Sequence, residues 1–210
     1  VYGQELNDET WAIAQSDLMM QVETFNPARM HNDNSLTRDA FPTEKFDFIL
    51  ANPPYGVDWK GYAAPMRDEH TKLGNSGRFG AGLPRVSDGS FLFLQHMLSH
   101  MKPTGSRVGI VLSGSPLFSG QAGSGESEIR RWILENDWLE GIVALPDQMF
   151  YNTGISTYVW ILTNDKAAGD VGVVRLIDAR AMGDKMRKSL GNKRKELTPS
   201  TIEEIVRLFL

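Results

Sequence analysis

Phe46-Asp47-Phe48-Ile49-Leu50-Ala51-Asn52-Pro53-Pro54-Tyr55 joins an apolar run of strand length to a polar, doubly prolyl turn. The run reads as a buried strand. Asn followed by two prolines cannot continue a sheet, because neither proline has an N–H to donate and each has a fixed φ. The residue before each proline is also pushed out of the helical region. The strand therefore ends in a stiff, extended turn that holds the Asn52 side chain and the next carbonyls at its C-terminal edge. In open α/β sheets ligands bind at that edge. A rigid pair of acceptors beside an aromatic ring suits a planar amino group.

An exocyclic amine on adenine is a weak nucleophile, because its lone pair is delocalised into the ring. Two acceptors, the Asn52 side-chain oxygen and the Pro53 carbonyl, would hold its two N–H groups out of the ring plane. That localises the lone pair for in-line attack on a sulfonium methyl group, by positioning and electrostatics and without a strong base. Tyr55 would stack on the ring. The alternative for the tetrapeptide alone is a surface turn that contains Pro-Pro, so the surrounding blocks decide.

Those blocks follow in order. Tyr2-Gly3-Gln4-Glu5-Leu6 ends in an acid, and Asn34-Ser35-Leu36 comes next, then Asn52-Pro53-Pro54-Tyr55. After it stand Ser87-Asp88-Gly89-Ser90-Phe91-Leu92-Phe93 with Gln95-His96-Met97-Leu98, and Lys102-Pro103-Thr104-Gly105-Ser106-Arg107-Val108-Gly109-Ile110-Val111-Leu112. Leu145-Pro146, Phe150 and Asn152-Thr153-Gly154-Ile155-Ser156-Thr157 complete the set. Over nearly its whole length the chain resembles the amino-methyltransferases that use S-adenosylmethionine, and among them the modification (methylase) subunit of type I restriction-modification systems. The resemblance implies an α/β, Rossmann-like methyltransferase fold with a mostly parallel sheet and an antiparallel last strand. It implies that Glu5 binds the cofactor ribose, that Asp33 or Asn34 faces the cofactor adenine, and that Asn52, Pro53, Pro54 and Tyr55 are catalytic. Phe150 is implied as the second aromatic on a flipped base, opposite Tyr55. Without the resemblance, Phe150 reads equally well as a core phenylalanine and Glu5 as a surface acid.

The family's glycine-rich cofactor loop lies before its second strand, whereas this chain starts at Val1 inside that strand. The expectation is a fragment of a longer polypeptide, with the N-terminal part of the fold missing. The third block carries Asn34 where an acid is usual, with Asp33 beside it. After the strand at 107–112 the family often has Leu-Pro, and here stands Leu112-Ser113.

At 210 residues the chain is one domain or most of one. We expect a catalytic domain over 1–180 and a C-terminal helical extension over 181–210. Hydrophobic content of 41% and charged content of 23% are ordinary for a globular protein, and no apolar run reaches the length of a membrane span. No signal peptide is visible, and a cytoplasmic protein is expected. Zero cysteines exclude disulfides and thiolate metal sites. The net charge is −4, from 22 Lys+Arg against 26 Asp+Glu. Isolated DNA-binding domains are usually basic, so DNA would be gripped by a local patch or with a partner subunit.

Strands are expected at Val1 to Glu5, Ala28 to His31, Phe46 to Ala51, Arg107 to Leu112, Leu139 to Ala144 and Ser156 to Leu162, with an added one at Val171 to Ile177. Helices are expected from an Asn7 cap to about Glu23, from Asp88 or Ser90 to before Pro103, over Glu126 to Glu135, and from Thr198-Pro199 onward. Alternation of this kind marks an α/β sheet. Gly56 to Ser87 is long and glycine-rich, and as a whole reads as a DNA-facing lid, with Arg67, Lys72, Arg78 and Arg85 for phosphates and Trp59, Tyr62 and Phe79 to close over the site. Gly114 to Gly125 reads as a plain connection. His96 and His100 have metal-ligand spacing but no third ligand at motif distance, and solvated or capping histidines are favoured over a metal site. Lys185, Arg187, Lys188, Lys193, Arg194 and Lys195 form a basic stretch that suits DNA, a partner subunit or a solvated helix face equally. Trp132 and Trp138 read as packing residues.

The conclusion at this point is the catalytic part of an adenine-N6 DNA methyltransferase, with S-adenosylmethionine as cofactor. DNA and a separate specificity subunit are the implied partners. Whether a restriction (nuclease) subunit joins them stays open. The same tetrapeptide also serves enzymes that methylate glutamine amides in proteins or guanine amines in RNA, and a non-catalytic scaffold for DNA or subunits is the remaining alternative.

Overall fold

The apolar runs form strands that line up on one edge, and the structure, a computed structural model, describes every residue except Asn152. The first two strands, β1 (Gly3–Glu5) and β2 (Met30–Asn32), pair in parallel with Glu5 opposite Asn32. The main sheet holds β3 (Phe48–Ala51), β4 (Arg107–Ser113), β5 (Leu139–Ala144), β6 (Thr157–Thr163) and β7 (Arg175–Asp178) in the spatial order β3-β4-β6-β5-β7. Only β6 runs antiparallel to its neighbours. The expected mixed sheet is therefore present, and β7 is the added strand. It starts at Arg175 and not at Val171, because a 3-10 turn at Ala168–Asp170 and Gly172 at φ 74° precede it.

The α-helices are α1 (Asp8–Gln21), α2 (Ala63–Leu73), α3 (Ser90–Ser99), α4 (Ser115–Phe118), α5 (Gly125–Glu135) and α6 (Pro199–Phe209). Asn7 caps α1 as expected, its Oδ1 accepting from the Thr10 N–H at 2.9 Å, with Asp8 and Glu9 in the positive first turn. Apolar residues run right round α1: Trp11, Ala14 and Leu18 are half-buried, while Ile13 and Met19 face out. The expected strand at 28–31 begins late, at Met30, because Pro27 opens a 3-10 turn that Asn26 caps.

The core lies between the main sheet and its helices. Phe91, Leu94 and Leu98 of α3, Val108, Ile110 and Leu112 of β4, Ile129 and Ile133 of α5, and Trp160 and Leu162 of β6 form one buried cluster. Each such side chain contributes roughly 1.5–3 kcal/mol by leaving water. Trp132 and Trp138 meet each other edge to face, with centroids 4.8 Å apart, and pack against this cluster, as expected of packing residues.

Two expectations need correction. The segment 56–87 is not an open lid. It contains α2, and Trp59, Met66 and Phe79 are buried with Leu36, Ala63 and Leu92 in a second cluster. Gly80 lets the backbone close on itself, since a Cβ there would lie 2.4 Å from the Gly74 carbonyl. The four cations expected to face phosphate are mostly engaged. Arg78 pairs with Glu69 at 2.7 Å, with both side chains about 15% exposed (15% and 16%). Arg85 donates to the hydroxyls of Ser115 and Ser119 on the 114–125 connection, Lys72 pairs with Asp68, and Arg67 stands over the Trp59 ring.

The second correction concerns 181–210, where a helical extension was expected. The basic stretch forms an antiparallel hairpin, β8 (Asp184–Leu190) and β9 (Lys193–Glu196), turning through Gly191 at φ 59°. Only then does α6 follow, capped by Thr198 with Pro199 in its first turn. Ile205 and Phe209 of α6 are buried against Val143, Leu145 and Ala179.

Candidate active site

A cavity of about 920 Å³ lies between β1 and β3, lined by residues from the ends of β1, β2 and β3 and by α3. Glu5, Asp33, Asn34, Asn52, Pro53 and Pro54 all border it. They meet there because parallel strands deliver their C-terminal ends to one edge. Glu5 Oε1 accepts from the Asn7 N–H at 2.7 Å, and among the described residues Oε2 has no hydrogen-bond donor. The Asp33 N–H donates to the Glu5 carbonyl at 3.1 Å, which ties the two acids' backbones together. Asp33 Oδ1 accepts from the Asn34 N–H at 2.7 Å, and its other oxygen pairs with the exposed Arg38 at 3.2 Å. Asn34 Oδ1 is taken by the Leu36 N–H at 3.0 Å, so this side chain closes its own turn.

Arg78 clamps that turn from the side. Its guanidinium donates to the carbonyl of Ser35 at 2.7 Å and of Leu36 at 3.1 Å, while Glu69 holds it from the other direction at 2.7 Å. Sequence reading placed Arg78 near phosphate and missed this role, because its partners lie 42 and 43 residues away with no local spacing to reveal them.

Asn52 is exposed at the strand end and Pro53 is buried behind it. The Tyr55 hydroxyl donates to Asn52 Oδ1 at 2.7 Å. Burial raises the Tyr55 phenol above its ordinary value, against the opposing pull of the Asn52 hydrogen bond, so the hydroxyl stays a neutral donor. Phe150, on the β5–β6 connection, meets Tyr55 edge-on, with centroids 6.2 Å apart and planes at 70°. The structure thus brings together Tyr55 and Phe150, which sequence reading assigned to one pocket. Of the late block, Asn152 lies outside the described residues.

His96 and His100 also border the cavity, His96 half-buried and His100 buried. His100 caps the C-terminus of α3, with Nδ1 bonded to the Glu44 carbonyl at 2.9 Å and Nε2 3.2 Å from Asp39. His96 Nδ1 faces the Arg78 guanidinium at 3.2 Å. Burial pushes the His96 pKa well below its usual 6.5, and the neighbouring His100 and Arg78 push the same way. Asp39, His96 and His100 lie close enough to share an ion. Of their ligand atoms, His100 Nε2 already meets Asp39, and His96 Nδ1 meets the Arg78 guanidinium.

Comparison with known proteins shows the family and the fold. The N-6 DNA Methylase family matches residues 1–210. The type I restriction enzyme HindI methylase subunit of Haemophilus influenzae is 33% identical over 184 residues, which cover 87% of this chain and 38% of that protein. The MjaIX methylase subunit of Methanocaldococcus jannaschii is 27% identical over 210 residues, covering all of this chain and 35% of that one. The type I restriction-modification methyltransferase subunit of Streptococcus thermophilus superposes with a TM-score of 0.79 at 29% identity, over 99% of this chain and 41% of its own. A class I S-adenosylmethionine-dependent methyltransferase from Listeria monocytogenes shares the fold at a TM-score of 0.60. This chain spans 35–41% of the length of the three type I methylase subunits. With a family match over all 210 residues and the site at the expected strand ends, the chain belongs to the N-6 DNA methylase family.

Proposed function

We propose that this chain carries the catalytic centre of an adenine-N6 DNA methyltransferase that uses S-adenosylmethionine. The observation that supports it most is the strand-end turn, where Asn52 and Pro53 border the cavity and Tyr55 and Phe150 meet beside them. The cavity volume suits a nucleoside-sized ligand. Its acceptor set fits the cofactor too. Glu5 would take the ribose hydroxyls, and Asp33 would accept from the adenine amine. Asp33 is a better acceptor than Asn34, whose side-chain oxygen is already bonded, and the exposed Arg38 pair that it would loosen is weak. When bound, the cofactor supplies an electrophilic methyl group on a sulfonium.

The chain's own residues do the rest. Asn52 Oδ1 and the Pro53 carbonyl accept the two N–H groups of the target amine and fix its lone pair toward the methyl carbon. The amine so held would be poised to take that methyl group, and water at the exposed Asn52 would take the N–H proton it gives up. Tyr55 and Phe150 hold the extruded base between them, as enzymes acting on a base inside a duplex require. The family's name supports DNA as substrate, and the relatives' names support a place as the methylase subunit of a type I restriction enzyme. Sequence choice would then lie in a separate specificity subunit. No described helix is long and apolar enough to cross a membrane, in keeping with a protein that works on DNA in the cytoplasm.

The test is methyl transfer by the intact enzyme, with its specificity subunit, to unmodified DNA, followed by mass spectrometry of the nucleosides. N6-methyladenine is expected. Cofactor binding without any methylated DNA base would overturn the proposal and redirect it to RNA guanine or protein glutamine.

A further inference from the structure

The β8–β9 hairpin is fastened to the loop that carries Phe150. The Arg194 and Lys195 N–H groups both donate to the Gln148 carbonyl, at 2.9 and 3.2 Å, and the Asn192 N–H donates to the Tyr151 carbonyl at 3.0 Å. Lys195 pairs with Asp147, and the Lys193 ammonium sits 5.3 Å from the centre of the Tyr151 ring. Gln148 itself has φ 58°, a conformation that a side chain bears only when its surroundings hold it. Here the hairpin's two N–H groups do so. A displacement of the hairpin must therefore move the backbone on both sides of Phe150.

The same hairpin is a concentration of positive charge on an acidic chain. Residues 184–196 hold six basic side chains against two acidic ones, whereas the chain as a whole is at −4. Lys185, Arg187, Lys188, Lys193 and Arg194 have no carboxylate partner among the described residues. Lys185 stands directly opposite Lys195 across the ladder, and of the two only Lys195 has a carboxylate partner, Asp147. A nucleotide held between Tyr55 and Phe150 keeps its own phosphates within about one nucleotide of the ring, so its backbone must pass this loop.

We infer that the β8–β9 hairpin is a DNA-phosphate arm. It grips the strand flanking the flipped base through Lys185, Arg187 and Lys188, and transmits that grip to Phe150 through Gln148 and Tyr151. The inference rests on the reading of Tyr55 and Phe150 as the base pocket. It also accounts for DNA binding by a chain of net negative charge.

Each phosphate contact contributes about 0.9 to the slope of log affinity against log salt. The experiment compares the intact enzyme with its Lys185→Gln/Arg187→Gln/Lys188→Gln variant on a cognate duplex over a salt series. These three side chains are exposed, so folding is expected to hold, and unchanged cofactor binding checks it. The expected result is a slope shallower by about 2–3 and binding about tenfold or more weaker at low salt. Lys185→Arg/Lys188→Arg should keep the wild-type slope. An unchanged slope in the triple variant overturns the inference, as does loss of the specificity subunit from the complex with the slope intact, which would make the hairpin a subunit contact. N6-methyladenine formed by the wild type is scored separately, so failure of the base-pocket reading shows as missing product whatever the slope does.

Discussion

The Tyr55 hydroxyl donates a 2.7 Å hydrogen bond to Asn52 Oδ1, so the ring meant to stack on a base also caps the acceptor meant for that base's amine. Asn52 Oδ1 carries two lone pairs, so one remains for the amine while this bond persists. An adenine amine that enters either shares this oxygen with the phenol or replaces it. Removing the hydroxyl should keep stacking and free the acceptor. Tyr55→Phe is expected to retain kcat within about threefold and to leave or lower KM for DNA. Tyr55→Ala should lose about 1–3 kcal/mol of base stacking, or roughly 5- to 150-fold in kcat/KM. Steady-state kinetics on one duplex checks both. A Tyr55→Phe loss as large as that of Tyr55→Ala would assign the hydroxyl a chemical role.

Tyr55 and Phe150 stand 6.2 Å apart at 70°. A flat base between two parallel faces needs roughly 7–8 Å, twice the contact distance of stacked carbons. The slot is therefore closed edge-on in this state, and one ring must turn to admit a base. With 2-aminopurine at the target position, wild-type enzyme should raise fluorescence on binding. Phe150→Ala should weaken retention of the flipped base, with a KM for DNA raised about tenfold and cofactor affinity unchanged.

Arg78 joins three parts of the molecule: Glu69 on α2, the Ser35–Leu36 carbonyls beside the cavity, and His96 on α3. Breaking a buried pair leaves an uncompensated charge, so Arg78→Ala should cost about 3–5 kcal/mol of stability. Arg78→Lys keeps the charge but loses the fork. Its expected mark is weaker cofactor binding by calorimetry, with kcat at saturating cofactor largely kept. Loss of kcat alone would mean that the turn does not hold the cofactor.

The depressed pKa of His96 sets a pH dependence. In the unfolded chain this imidazole takes a proton near 6.5, whereas in the folded chain burial, with His100 and Arg78 beside it, keeps it neutral to lower pH. The unfolded state thus binds more protons below 6.5, and stability is fully present above that value and falls as pH drops through it. The slope reaches up to about 1.4 kcal/mol per pH unit. Urea unfolding at pH 7.5, 6 and 5 should show this decline, and His96→Gln should flatten it. Parallel declines in the two proteins would place the effect elsewhere.

The site was legible in the sequence where its chemistry is local. Glu5, Asp33 and Asn52 to Tyr55 each sit at the end of a strand; the proline turn pointed to Asn52 to Tyr55, whereas Glu5 and Asp33 were implied only by the resemblance to the methylases. What escaped was non-local or masked. Glycines in 56–87 obscured α2, whose buried positions are only Ala63 and Met66, and the apolar partners of Trp59 and Phe79 lie on Leu36 and Leu92. The hairpin escaped because its ladder shifts register between Lys185 and Leu190, which breaks the alternation by which a strand is recognised. Arg78 and His96 look like surface cations in the sequence and are buried only by segments far along the chain.

Asn52 carries the account, and its substitution is the most direct measurement. In the intact enzyme, Asn52→Ala would remove one of the two acceptors proposed to orient the amine and leave Glu5 and Asp33 in place. Methyl transfer to DNA should fall by at least about 10²–10³ in kcat, as for loss of one preorganised polar group. Cofactor affinity by calorimetry should stay within a few-fold of wild type. Parallel loss of methyl transfer and cofactor binding, or methyl transfer that survives the substitution, would contradict the role assigned to Asn52.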